Sequence, residues 1–222
     1  MNVPRYLIVP ILAVVITSCQ QNKAPESIDT TAENADTTVL DNTKVADTTT
    51  IEMPGDKPVP LAQLIVPGIS VGQTAINESS EVVYKKLGKP DAGDAAMGKS
   101  VSIWYAKHDT AGYVTQMYFS RDMGNDETSR VKQIRVTSPL FKVNNKIYAG
   151  VPFKIAESVY KLKKTATFED KGDKRSLYDD VKGGIGFEVD DKGIITGIVV
   201  HETGREATGT YLAFFSNLKP VK

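Results

Sequence analysis

Apolar residues are distributed along this chain in three regimes, and each predicts a different kind of structure. Residues 6–16 are an apolar run interrupted by Pro10. From Gln20 to about Pro60 apolar residues are sparse and show no sustained period, and from residue 61 onward they return in periodic form. In that last region a helical pattern over 78–87 is closed by Gly88 with Pro90 beyond it, the usual stop for a helix. Strand-like runs follow at 101–106, 113–119 and 131–136, with Gly124-Asn125-Asp126 between the last two, so a helix followed by an antiparallel meander is expected.

The same order then recurs. Ile147 and Gly150 stand as Ile69 and Gly72 do, and Pro152 suits the first turn of a helix on which Ile155, Val159 and Leu162 share one face. Glu157-Ser158-Val159-Tyr160-Lys161 matches Glu81-Val82-Val83-Tyr84-Lys85. Strands are expected at 176–179, 185–189 and 194–200, with Asp190-Asp191-Lys192-Gly193 as a hairpin turn and with Ile198 and Val200 matching Ile134 and Val136. The pattern predicts an α+β protein of two tandem helix-plus-meander modules, 61–138 and 139–222, with the helices packed on one face of the sheet.

Ahead of the modules, the apolar run 6–16 follows Arg5 and ends in Ile16-Thr17-Ser18-Cys19, the layout of a secretory signal over residues 1–18. At roughly 10 residues it is about half the length needed to span a bilayer. Its last four residues resemble the lipobox of bacterial lipoprotein precursors, which implies acylation of Cys19, the single cysteine of the chain, and a lipid anchor. Residue 20 is Gln and not Asp, which favours the outer membrane as the expected destination.

Residues 19–60 read as a disordered tether, because so few apolar groups cannot offset the entropy of ordering. From residue 20 to 60 the tether has eight acidic residues and three lysines, so the net charge of zero hides an acidic tether and a mildly basic remainder. Asp-Thr-Thr occurs in it three times and resembles the Asp-Thr-x O-glycosylation acceptor of exported proteins in some diderm bacteria, which implies Thr30, Thr37 and Thr48 as acceptors. A plain solubilising low-complexity stretch is the competing reading.

The run from Val71-Gly72 through a helix to Leu87-Gly88-Lys89-Pro90, followed by a three-stranded meander, resembles BamE-like outer-membrane lipoproteins and the tandem modules of beta-lactamase-inhibitor-like proteins. That resemblance covers roughly 67–203, although the second copy has Leu162-Lys163-Lys164-Thr165 where the first has its Leu-Gly-x-Pro helix end. It implies helices on one face of an antiparallel sheet and non-catalytic binding to other proteins.

Candidate chemistry is thin. Gly68-Ile69-Ser70-Val71-Gly72 has the spacing of a serine-hydrolase nucleophile elbow, but Tyr148 takes the place of Ser70 in the second copy. His201-Glu202 begins like a zinc motif, yet Arg205 stands where the second histidine belongs, and His108 is the only other histidine. No catalytic residue, metal or cofactor is therefore assigned. Two lysine clusters, Lys85-Lys86 and Lys161 with Lys164, are placed by the pattern at equivalent helix ends and are candidate contacts for an anionic partner. Trp104 is the candidate for binding on an aromatic surface.

The function expected is that of a cell-envelope lipoprotein, held to a membrane through Cys19, that binds another envelope protein through the sheet's open face or loops. A glycan or peptidoglycan fragment held against Trp104 is the alternative, and a hydrolase using Ser70 ranks last. Nucleic acid is not expected as a partner of an exported domain with pI near neutrality.

Overall fold

The computed structural model describes residues 58–209 and 214–221, within a unit spanning Thr50–Lys222. Cys19, Thr30, Thr37 and Thr48 lie outside the described residues, as do the expected signal segment and most of the tether.

A 3-10 turn at Leu61–Gln63 leads into three two-residue strands, β1 (Ile65–Val66), β2 (Ser70–Val71) and β3 (Thr74–Ala75), joined as a small antiparallel meander. The turn between β2 and β3 depends on Gly72, which has φ +54° and whose Cβ, were there one, would sit 2.5 Å from the Ala62 carbonyl oxygen. Helix α1 (Ser80–Leu87) starts where the Ser79 hydroxyl accepts from the Val82 N–H. It ends at Gly88, whose φ of +77° takes the chain out of the helix.

Then come β4 (Ala92–Ala96), β5 (Lys99–Tyr105), β6 (Val114–Asp122) and β7 (Asp126–Val136). The short pair β8 (Lys142–Asn144) and β9 (Ile147–Tyr148) precedes α2 (Lys154–Glu157). The chain continues through β10 (Lys163–Asp170), β11 (Asp173–Asp180), β12 (Ile185–Asp190) and β13 (Ile195–His201), and β14 (Lys219–Pro220) pairs with β10.

These strands do not make two modules. They form one antiparallel sheet of nine strands in the order β14-β10-β11-β12-β13-β7-β6-β5-β4. Its middle is the pairing of β7 with β13, in which Ile134 faces Val200, Arg135 faces Val199 and Val136 faces Ile198. The expected boundary near residue 138 thus falls between two stretches whose inner strands are hydrogen-bonded to each other. The described residues are mostly β, and among them the two-module α+β architecture is corrected to a single large sheet with two short helices.

The second helix is also shorter than its apolar spacing implies. It stops at Glu157, and Val159, assigned to its buried face, is 60 % exposed. The reason lies just beyond. Ala166 and Phe168 are buried and alternate with Thr165 and Thr167, a period of two that β10 satisfies by turning the apolar pair onto the sheet. Lys161 and Lys164 consequently sit before and within a strand, not at a helix end.

Each face of the sheet has its own cover. On the first, Trp104, Met117, Phe119, Ile134, Val136, Phe187, Ile198 and Val200 pack with Val83 of α1, Ala156 of α2, and Ile65 and Val71 of the meander. The second face carries a polar layer under the C-terminal stretch. Arg135, 3 % exposed, reaches across β13 to Glu188, 2 % exposed, with Nε to Oε1 at 2.6 Å and Nη2 to Oε2 at 2.7 Å. Its third nitrogen donates to Gln116 Oε1 at 2.8 Å, and Phe215 lies 4.7 Å from the guanidinium. Gly197 makes the crossing possible, since a Cβ there would stand 2.4 Å from Glu188 Oε2. Beside it, Asp179 accepts from the Ala207 N–H and from His201 Nε2, while Gln133 donates to the Ala207 carbonyl, so the layer pins the chain that covers it.

Taking two charges out of water is tolerated here because the pair is bidentate and its remaining donors are satisfied. Replacing Arg135 alone by Met should cost about 3–5 kcal/mol in urea unfolding, because it leaves Glu188 buried and unpaired; the double change with Glu188→Leu should recover most of that loss.

His201 gives a second expectation. Burial, the largest single influence, pulls its pKa down, but the hydrogen bond and charge of Asp179, the Glu202 carbonyl and Asp180 together hold it above the ordinary 6.5. Both ring nitrogens face acceptors, which favours the doubly protonated ring. A raised folded-state pKa contributes stability that is full below the unfolded value and is lost as pH rises through the folded one. Urea midpoints should therefore fall as pH rises above the ordinary histidine value of 6.5, and His201→Gln should flatten that dependence.

Candidate functional site

The first face is not completely tiled by its cover. Between the end of α1, the β1–β3 meander and strands β5 and β6 lies a cleft of about 340 Å³. Val71, Leu87, Trp104, Met117, Ile134 and Phe141 line it with apolar groups, and Gln73, Thr74, Lys86, Tyr105, His108 and Thr115 add polar ones. A mostly apolar concavity of this size with a few polar groups is the usual form of a small-ligand or side-chain pocket.

Sequence-predicted residues meet here only in part. Trp104 lines the cleft at 9 % exposure; its indole N–H donates to the Gly88 carbonyl at 3.2 Å, and its ring packs against Tyr84. The indole is thus a wall of the cleft. Lys86 is present too, but its ammonium is held by the Glu78 carboxylate and the Gln73 carbonyl. Lys85 is exposed next to it in sequence. Lys161 is exposed elsewhere, and Lys164 lines a separate groove with Lys174, Arg175 and Lys219. The structure therefore divides the two lysine clusters between different surfaces.

One polar constellation at the cleft was not foreseen. After β5 the chain turns through Ala106–His108 with Lys107 at φ +60° and His108 at φ +59°. Consecutive non-glycine residues in the left-handed region are costly and are kept only where the surroundings impose them. Asp91 imposes this one. One carboxylate oxygen accepts from the Tyr105 N–H at 2.8 Å and the other bonds His108 Nδ1 at 2.6 Å. The Tyr105 amide first, and His108 second, hold the Asp91 carboxyl below its ordinary pKa.

Ser70 is in the two-residue strand β2, opposite Ala75 and followed by β3, not in a turn from a strand into a helix. Among the described residues no hydrogen bond joins it to a histidine: His201 is committed to Asp179 and the Glu202 carbonyl, and His108 to Asp91. The surroundings an elbow serine needs are not those of Ser70.

No family model and no curated protein matches the chain. Among solved structures, an extracellular protein containing an SCP domain from Bacillus anthracis str. Ames is similar with TM-score 0.37 and 13 % identity, covering 58 % of this chain and 44 % of that one. A cysteine-rich secretory protein from Staphylococcus aureus subsp. aureus Mu50 is similar with TM-score 0.40 and 12 % identity, covering 72 % and 57 %. The chain spans about half the length of these two proteins. Both are partial likenesses of shape, and neither is a BamE-like or beta-lactamase-inhibitor-like protein. With one sheet in place of tandem modules, the short motifs that resemble those lipoproteins are local turns and a helix stop within a different architecture.

Proposed function

We propose that this protein is a non-catalytic interaction module of the bacterial cell envelope, anchored at the outer membrane through lipidated Cys19, that binds a protein partner at the Trp104 cleft. The observation that carries the reading is the cleft itself, whose apolar walls accept a single large apolar side chain of a partner. A buried anchor in a pocket, ringed by polar groups that exclude water, is how most interfaces concentrate their energy.

The surroundings favour a partner with acidic residues beside that anchor. Lys85 and Lys107 are exposed, adjoin the lining residues Lys86 and His108 in sequence and make no ion pair among the described residues. Fixed cations around an apolar pocket speed encounter with an acidic surface and fix its register. The sheet's second face is a weaker candidate at its central strands, because residues 202–209 and 214–221 contribute the cover over the polar layer. A glycan platform needs an aromatic ring with a free face, and Trp104 is largely enclosed.

Site-specific photocrosslinking in cells tests this. A photoreactive phenylalanine at Leu87, a 43 % exposed wall of the cleft, should yield one discrete protein adduct, and the same group at Met123, in the β6–β7 turn, should not. The adduct should weaken at least about fivefold when Thr115→Trp fills the cleft. Adducts at Met123 alone, or a Leu87 adduct whose entire added mass is removed by glycosidases, would contradict the proposal.

A further inference from the structure

Asp91 does more than hold a turn. A carboxylate only accepts hydrogen bonds, so the 2.6 Å contact to Nδ1 places the proton of a neutral His108 ring on Nδ1. Nε2 is then left with a lone pair. His108 lines the cleft while its side chain is 80 % exposed, and Nε2 has no partner among the described residues. The strained pair Lys107 and His108 is thus the means by which an oriented acceptor is delivered beside an apolar cleft.

We infer that His108 is the polar recognition residue of the Trp104 cleft, and that its Nε2 accepts a hydrogen bond from a backbone amide N–H of the partner segment whose apolar side chain fills the cleft. The inference rests on the proposed binding role of the cleft and deepens it by naming the ligand's chemistry: an apolar side chain next to a main-chain donor. The exposed lysines nearby are donors and cannot act as acceptors in place of Nε2. Lys86 is already engaged by Glu78, and Thr74, another polar lining group, is buried.

The test uses the chain's own reporter, because Trp104 is the single tryptophan. 3-Phenylpropanamide and methyl 3-phenylpropanoate place the same ring in the cleft, and only the first carries amide N–H donors. Titration of Trp104 fluorescence in the lipid-free secreted form of the protein and in His108→Leu reads both. The amide should bind about 5- to 10-fold more tightly than the ester to the wild type, one neutral hydrogen bond's worth, and about equally in His108→Leu. Nitrogen NMR of the ring should show the Nδ1–H tautomer in the free protein and a shift of Nε2 on adding the amide.

Equal binding of amide and ester to the wild type, with Trp104 responding to both, would overturn the role of His108 and leave the cleft as the binding point. An Nε2–H tautomer in the free protein would do the same. A Trp104 signal unmoved by either compound would overturn the cleft reading together with the inference. A merely structural role for His108 would change stability without creating any difference between amide and ester.

Discussion

The structure depends on the antiparallel pairing of β7 with β13 and on the Arg135–Glu188 bridge laid across it. That pairing joins the strands β4–β7 to the strands β10–β13 and makes a sheet nine strands wide where two smaller sheets would each have had exposed edges. A sheet of that width buries its central strands on both faces, and each face needs a cover. The helices and the β1–β3 meander supply one. The other is the stretch after His201, drawn down at Ala207 by Asp179 and Gln133.

Local structure was legible to the extent that it was set by local chemistry. Helix α1 was visible in its apolar spacing and its Gly88 stop, and the strands β5, β6, β7, β12 and β13 in their β-branched and aromatic runs. β10 was not, because its alternation is carried by small Ala166 and hydroxyl-bearing Thr165 and Thr167, directly after lysines that read as a helix end. β4 was missed for a related reason, since Ala92-Gly93-Asp94-Ala95-Ala96 has no β-forming residue and lies at the sheet's edge. The architecture was misread at the one place where it is non-local. That Ile134 and Val136 match Ile198 and Val200 is a fact of the sequence; that these same residues face each other across β7 and β13 is a fact of register, which no pattern along the chain specifies.

The candidate site shows the same division. Trp104 was recognisable as an unusual residue, and Lys86 as one of a cluster. The cleft that unites them also needs Phe141 and Met117, which come from elements far apart in sequence, and whose apolar character alone marks them only as core. His108 was visible only as a poor zinc candidate. Its significance comes from Asp91, 17 residues earlier, and from a left-handed turn through two residues neither of which is a glycine.

One sheet thus divides its labour between stability and binding. Where the cover is complete, buried polar groups are fully paired and serve to hold the fold together. Where it is incomplete, over β5 and β6, apolar side chains are left lining an opening, and the polar groups at its rim include one oriented acceptor. This opening exists only if the two stretches of the chain are a single cooperative body, because Phe141 and the meander are positioned by contacts with the shared core. Native-state amide hydrogen exchange measures that cooperativity directly. The amides of Phe119, Ile134, Phe187 and Val199, on β6, β7, β12 and β13, should share one opening free energy and one denaturant dependence, that of global unfolding. Two separate plateaus, with Phe119 and Ile134 opening about 1 kcal/mol or more apart from Phe187 and Val199, would contradict the single-sheet account.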